Sequence, residues 1–124
     1  MIKLVECLRR KPHLTHQEFL DYWLDVHGPL VRSLAKDLRM GRYVQCHTID
    51  HPVHEFMKQR RGQAALDIFD GVAEVWFDSR EAMEPTYSTP AMKAANKKLR
   101  EDEEKFLEWK GCVTFFTEEH VVIE

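Results

Sequence analysis

A chain of 124 residues, 44% hydrophobic and 31% charged with a net charge of −3, is one domain with a modest core, small for an enzyme that encloses a ligand alone. Its basic pairs, Arg60-Arg61 and Lys97-Lys98, are short and flanked by acidic or neutral residues, which argues against a nucleic-acid partner. No apolar run reaches the roughly 20 residues that span a bilayer, the N-terminus lacks signal-peptide zones, and three widely spaced cysteines suit free thiols, so a cytoplasmic protein is expected.

Residues 2–10 read as a first strand, with Ile2, Leu4 and Leu8 on one parity and Val5 and Cys7 on the other. A helix is predicted from about 16 to 26, because Phe19, Tyr22, Trp23 and Val26 recur at helical steps. Thr15 and Glu18 have the spacing of a capping box at its start. Gly28-Pro29 is expected to break it, since proline lacks a donor and clashes with the preceding turn. The helix then resumes from Pro29 to about Leu38, and Gly41 is expected to stop it in a left-handed conformation. A second strand over 42–49 places Tyr43, Gln45, His47 and Ile49 on one face, with Arg42, Val44, Cys46 and Thr48 on the other.

Residues 50–66 are expected to form an inserted loop, with a short helix near 55–61, that covers or abuts a pocket. A third strand over 71–78 sets Val72, Glu74, Trp76 and Asp78 opposite Ala73, Val75 and Phe77. Ser79 is expected to cap a short helix over 80–85. A long helix over 88–107 carries an apolar stripe of Met92, Ala95, Leu99 and Phe106, and its charge run from Lys97 to Lys105 reads as a solvated face. Cys112 to Val122 alternates as a last strand. The order is strand, helix, strand, strand, helix, strand, which predicts an α+β, ferredoxin-like βαββαβ domain over residues 1–124 with an antiparallel four-stranded sheet. The third strand is apolar on both sides, so a second subunit is expected on the open face.

The run from Lys11 to Leu30, with Trp23, His27 and Gly28-Pro29, resembles the signature of the EthD family, within the dimeric α+β barrel superfamily. The resemblance continues at residues 41–47, at 70–77, and where Glu101-Asp102-Glu103 is followed by Phe106. It implies a homodimer whose sheets pair into a barrel. It also implies catabolic or secondary-metabolic settings, including ether degradation, where family members accompany oxygenases.

His27 is the leading candidate catalytic base, because neutral histidine accepts a proton near pH 7. In EthD-like enzymes the matching histidine lines the pocket between sheet and helices; a core histidine that fixes the chain break is the alternative. Tyr43 is the second candidate, since a phenol donates a hydrogen bond to a carbonyl or enolate oxygen. It aligns with a site tyrosine of a related methylmuconolactone-isomerising enzyme, and a half-buried strand aromatic is its alternative. Gln45 and His47 share its face and would extend a polar row into one cavity. Glu74, in an apolar strand, would act as an acid or orient a histidine if buried, and would be structural if it faced solvent or a dimer seam. Trp23 and Trp76 are further substrate-contact candidates, with core packing as the alternative.

Cys46, His47, Asp50, His51, His54 and Glu55 crowd one segment at a density that can suit zinc. Cys46 and His47 point to opposite strand faces, however, and no helix aligns His51 with His54, so no metal is expected. No phosphate loop or serine elbow is present. Haem would need His27 or His47 as axial ligand, and nothing in the spacing asks for it. The expectation is a cofactor-independent enzyme that isomerises, cyclises, dehydrates or decarboxylates a small carbonyl-bearing cyclic or aromatic compound, lactone or polyketide-like. Its alternative is a non-catalytic small-molecule-binding or accessory protein of an oxygenase or degradation pathway.

Overall fold

The computed structural model describes residues 2–124. Four strands, β1 (Ile2–Leu8), β2 (Met40–His47), β3 (Gly71–Phe77) and β4 (Val113–Glu118), form one antiparallel sheet in the order β2-β3-β1-β4. Helices α1 (His16–Tyr22) and α2 (Gly28–Leu34) lie between β1 and β2, α3 (Val53–Arg60) between β2 and β3, and α4 (Pro90–Glu103) between β3 and β4. This is the ferredoxin-like α+β arrangement. Pairings Glu6–Ala73, Gln45–Ala73 and Tyr43–Val75 place the side chains of Glu6, Tyr43, Gln45 and His47 on the helix-covered face. Lys3, Arg42, Cys46, Glu74 and Trp76 occupy the opposite face.

Thr15 and Glu18 do form the capping box, with the Thr15 hydroxyl accepting from the Glu18 N–H and the Glu18 carboxylate from the Thr15 N–H. The expected break at Gly28-Pro29 does not occur. Residues Trp23–His27 instead widen into a π-helical turn, in which the Gly28 N–H reaches back five residues to the Trp23 carbonyl, and α2 continues directly. Pro29 needs no donor at the start of α2, and the wider turn relieves the crowding its ring would cause in an α-helix. The extra residue in the turn sets His27 facing inward.

Other boundaries also move. The helix stops at Leu34, and the residue at positive φ between it and β2 is Arg39 (56°), whereas Gly41 already belongs to β2, at a register shift between Met40 and Arg42. The Ser79 hydroxyl caps nothing and is buried without a partner; only single 3₁₀ turns follow it. Thr89 caps α4 instead, its hydroxyl accepting from the Met92 N–H. The last strand ends at Glu118, short of Val122.

The core has two parts. Leu8, Phe19, Trp23, Ala73, Phe106 and Leu107 fill one, and Val31, Leu34, Leu38, Ala95 and Leu99 the other. Gly71 makes the first possible. A Cβ there would lie 2.5 Å from the Trp23 ring and 2.8 Å from the Cys46 carbonyl oxygen, so the indole packs directly on strand backbone. The segment between β2 and β3 is tied down by Asp70. Its carboxylate accepts from the Arg10 backbone N–H (2.9 Å), the Arg10 guanidinium (2.6 Å) and His16 Nδ1 (2.7 Å), while His16 Nε2 meets the Thr48 carbonyl at 2.9 Å.

Candidate active site

His27 ends the π-helical turn and is 4% exposed. Its Nδ1 lies 2.8 Å from Asp102 Oδ2, near the C-terminus of α4. Asp102 is itself buried, and its other oxygen accepts from the Tyr22 hydroxyl at 2.5 Å. A carboxylate only accepts, so Nδ1 carries the ring proton and Nε2 keeps its lone pair. Burial lowers the basicity of His27 below the ordinary histidine value, and the Asp102 bond opposes that shift without cancelling it. The ring is therefore a neutral, oriented base at neutral pH. Against Nε2, at 3.9 Å, stands the Glu103 carboxyl group, and the Phe106 ring packs beside the imidazole at 5.0 Å.

Glu103 and Glu6 are the other ionisable carboxyl groups of this layer. Burial, followed by the repulsion of Glu6, raises Glu103 to about 8. Glu6, projecting from the middle of β1 beneath the helices, is raised to about 7 by burial. Both charges also bear on Tyr43, whose hydroxyl is raised to about 12 chiefly by its own burial. These groups share one poorly solvated layer between sheet and helices.

Tyr43, Gln45, His47 and Trp23 form a second network. The Tyr43 oxygen accepts from Trp23 Nε1 (3.1 Å) and from Gln45 Nε2 (3.2 Å), leaving its own O–H free to donate. Gln45 Nε2 also donates to the Trp23 carbonyl at 2.8 Å, a carbonyl at the start of the π-helical turn. Gln45 Oε1 meets His47 Nε2 at 2.9 Å, and the His47 ring stacks on Trp23 with centroids 4.8 Å apart. Burial lowers the His47 basicity as well. Tyr43, Gln45 and His47 line an open cleft of about 830 Å³ that α2 walls with Pro29 and Val31, and Leu24 and Met40 complete.

Of the candidate residues, the fold therefore gathers Tyr43, Gln45 and His47 at this cleft. His27 lies behind it, one residue from Gly28 in the cleft wall, and makes no direct bond to Tyr43. Trp23 is 1% exposed and belongs to the core, where it positions Tyr43. Glu74 and Trp76 stand on the other side of the sheet. Glu74 is ion-paired to Lys3, which holds its carboxylate below the ordinary range, so it has none of the weakened acidity a buried, unpaired acid would show. Trp76 is covered by Lys3 and Arg42 and donates to Glu119. In the histidine-rich segment, His51 Nδ1 accepts from the Val53 N–H and His54 Nε2 bonds the Ile49 carbonyl, so the rings are used locally. Among the described residues no three His, Cys, Asp or Glu side chains are grouped to hold a metal ion.

Asp102 and Glu103, which the charge pattern left on a solvated helix face, lie beside His27, with Glu6 in the same buried layer, and Tyr22 reaches the Asp102 carboxylate from the apolar face of α1. Two signals mark them in hindsight. Leu99, Asp102 and Phe106 fall on one helical stripe, and Glu6 sits on the inward parity of Leu4 and Leu8.

Fold and site together define a small α+β protein of the ferredoxin-like type with a histidine–carboxylate pair under its helices. The EthD domain model matches residues 11–109, and the chain belongs to that family. Its fold is shared with a crystal structure of an ethyl tert-butyl ether D family protein from Bacillus halodurans, 22% identical, covering 97% of this chain and 99% of that one with a TM-score of 0.60. A dimeric protein of unknown function and ferredoxin-like fold from Bacteroides fragilis aligns at 10% identity over 95% of each chain, with a TM-score of 0.56. A hypothetical protein from Arabidopsis thaliana aligns at 12% identity over 99% of this chain and 91% of its own, also at 0.56. No curated protein matches the sequence. Among the described residues no helix is long and apolar enough to cross a membrane.

Proposed function

We propose that this protein is a cofactor-independent acid–base enzyme acting on a small carbonyl-bearing cyclic or aromatic compound. The observation that carries the reading is the buried His27–Asp102 pair, which orients a neutral imidazole with its Nε2 lone pair uncommitted. Nε2 removes a proton from a carbon next to a carbonyl, and the free O–H of Tyr43 donates to the oxygen on which charge collects. Isomerisation, cyclisation, dehydration and decarboxylation of lactone or polyketide-like compounds all pass through such an enolate-like species. Gln45 holds the Tyr43 oxygen, and the apolar walls of the cleft suit a ring.

The test is hydrogen–deuterium exchange. Small lactones and cyclic ketones are incubated with the protein in D₂O and their α-protons followed by NMR. Exchange faster than in buffer, reduced about 100-fold or more in His27→Gln, is the expected result. Binding in the cleft without exchange would instead favour a carrier or accessory role in a degradation pathway. That second reading has its own observation: His27 is not among the residues that line the cleft.

The protein is further proposed to act as a homodimer. The uncovered sheet face carries Val5, Val44, Val113 and Phe115, with Val113 49% and Phe115 45% exposed. A second copy laid on that face would remove this surface from water. The Bacteroides fragilis protein of similar fold is described as dimeric. The cysteines are all free thiols, which suits a reducing compartment, and a cytoplasmic setting is proposed on that basis.

A further inference from the structure

We infer that Glu103, backed by Glu6, is the proton donor that complements His27, so that the site moves a proton from one carbon of an unsaturated carbonyl compound to another. The inference rests on the reading of His27 as the base. Glu103 and His27 project into the same layer from different elements, with Oε2 3.9 Å from Nε2. The Glu103 side chain is 17% exposed, and among the described residues no lysine or arginine lies at salt-bridge distance from it; its neighbour at that distance is the neutral His27 ring. The groups facing it are Glu6 from β1, His27 from the π-helical turn, Tyr43 from β2, and Asp102 and Arg100 on α4. Three of these five are carboxyl groups or a hydroxyl that repel or ignore a negative charge, and Arg100 alone offsets it. A proton on Glu103 relieves that crowding, and the raised titration of both glutamates agrees.

The chemistry closes without another reactant. His27 Nε2 takes a proton from the carbon beside the carbonyl; the C–H electron pair becomes a carbon–carbon π bond, and the carbonyl π pair moves to oxygen, where Tyr43 donates. Glu103 gives its proton to the far carbon of the dienolate. The electron pair of the far double bond forms the new C–H bond, the remaining π bond shifts into conjugation, and the carbonyl reforms. Imidazolium and carboxylate then face one another, and proton transfer from Nε2 to Oε2 restores both. Two groups of opposite protonation state within one site are the arrangement that such a shift requires.

α-Angelica lactone is the probe, because its conversion to the conjugated isomer needs a proton to leave one carbon and reach another. Deuteration at its α-carbon in D₂O needs the base alone. Glu103→Gln is expected to slow conversion about 100-fold while changing α-deuteration by no more than a few-fold. Equal loss of both, or of neither, would overturn the role of Glu103 and leave His27 as base. A titration of ¹³C-carboxyl-labelled glutamates by NMR gives a readout independent of activity. The Glu103 carbon is expected to titrate near 8 and to fall in Glu6→Gln, with His27 ¹⁵N shifts following the same midpoint. A Glu103 midpoint below 5 overturns the inference whatever the lactone does. Should the unaltered protein neither deuterate nor convert the lactone, the base reading fails for this probe, and the titration alone decides for or against Glu103.

Discussion

His27 Nδ1 and Asp102 Oδ2 stand 2.8 Å apart although 75 residues separate them in the chain. The contact joins the π-helical turn of the first helical segment to the last turn of α4, and Tyr22, one turn before His27, grips the same carboxylate from the other side. Packing and site geometry thus depend on one buried acceptor. Asp102→Asn removes it. An amide presents one acceptor oxygen where two donors point, and its NH₂ faces one of them. The expected cost is about 1–3 kcal/mol of stability, read by urea denaturation. The His27 ring also loses the partner that fixes its tautomer, so its ¹⁵N NMR pattern should move towards a mixture and α-proton exchange should fall about 100-fold or more.

Gly71→Ala tests the seat of Trp23. The added methyl would lie 2.5 Å from the indole and 2.8 Å from backbone, and neither can withdraw without moving the π-helical turn or the β2–β3 pairing. A loss of about 1–3 kcal/mol is expected, measured by chemical denaturation. Tyr43 should respond as well, because Trp23 Nε1 donates to its hydroxyl.

Stability is expected to fall at both ends of the pH range, for opposite reasons. Burial alone would raise Asp70, but hydrogen bonds from Arg10 and His16 outweigh it and hold the carboxylate below its ordinary value. A depressed folded value contributes stability above the unfolded value, which is lost as pH falls below about 4. Glu6 and Glu103 are raised to about 7 and about 8, so they favour folding when protonated. Their contribution is complete below about 4.5 and is lost as pH rises through 7 and 8. Glu103→Gln, which cannot ionise, should therefore be more stable than the unaltered protein at pH 9, by on the order of 2 kcal/mol. Denaturation curves at pH 5, 7 and 9 for both proteins check the sign. A variant destabilised at pH 9 relative to pH 5 as steeply as the parent would contradict it.

Phe115→Glu addresses the proposed dimer. Phe115 lies on the uncovered face opposite Val5, away from His27 and Tyr43. The substitution places a charge in the expected seam, and native mass spectrometry should show dimer before the change and monomer after it. Two-state unfolding of the monomeric variant would show that the single sheet and its helices can stand alone.

Much of the fold was legible because the relevant signals are local. Strand alternation placed Tyr43, Gln45 and His47 on one face, and the capping box located the start of α1. The stripe Met92, Ala95, Leu99 and Phe106 located α4, all four being buried. Gly28-Pro29 misled because a proline disfavours an α-helix, whereas a turn with one extra residue absorbs it. Glu74 illustrates a different limit. Alternation grouped it with Val72 and Trp76, but only the pairing of β3 with β1 and β2 decided that this face lies away from Tyr43 and beside Lys3, where Glu74 is a paired, ionised carboxylate.

By itself, then, the order of residues determined the succession of the main strands and helices, the alternation within each strand, the sheet's α+β class and the family signature, since each depends on spacings within a few residues. Tertiary structure decided which charged groups became chemistry. Asp102 and Glu103 lie in a run of acids and bases that reads as a wetted helix face, and Glu6 in a short strand. Only the packing of α4 against α2 and the π-helical turn, above the sheet, takes these carboxyl groups out of water and sets Asp102 and Glu103 beside His27. Desolvation and mutual repulsion act over a few ångströms of space, a distance that sequence separation does not encode.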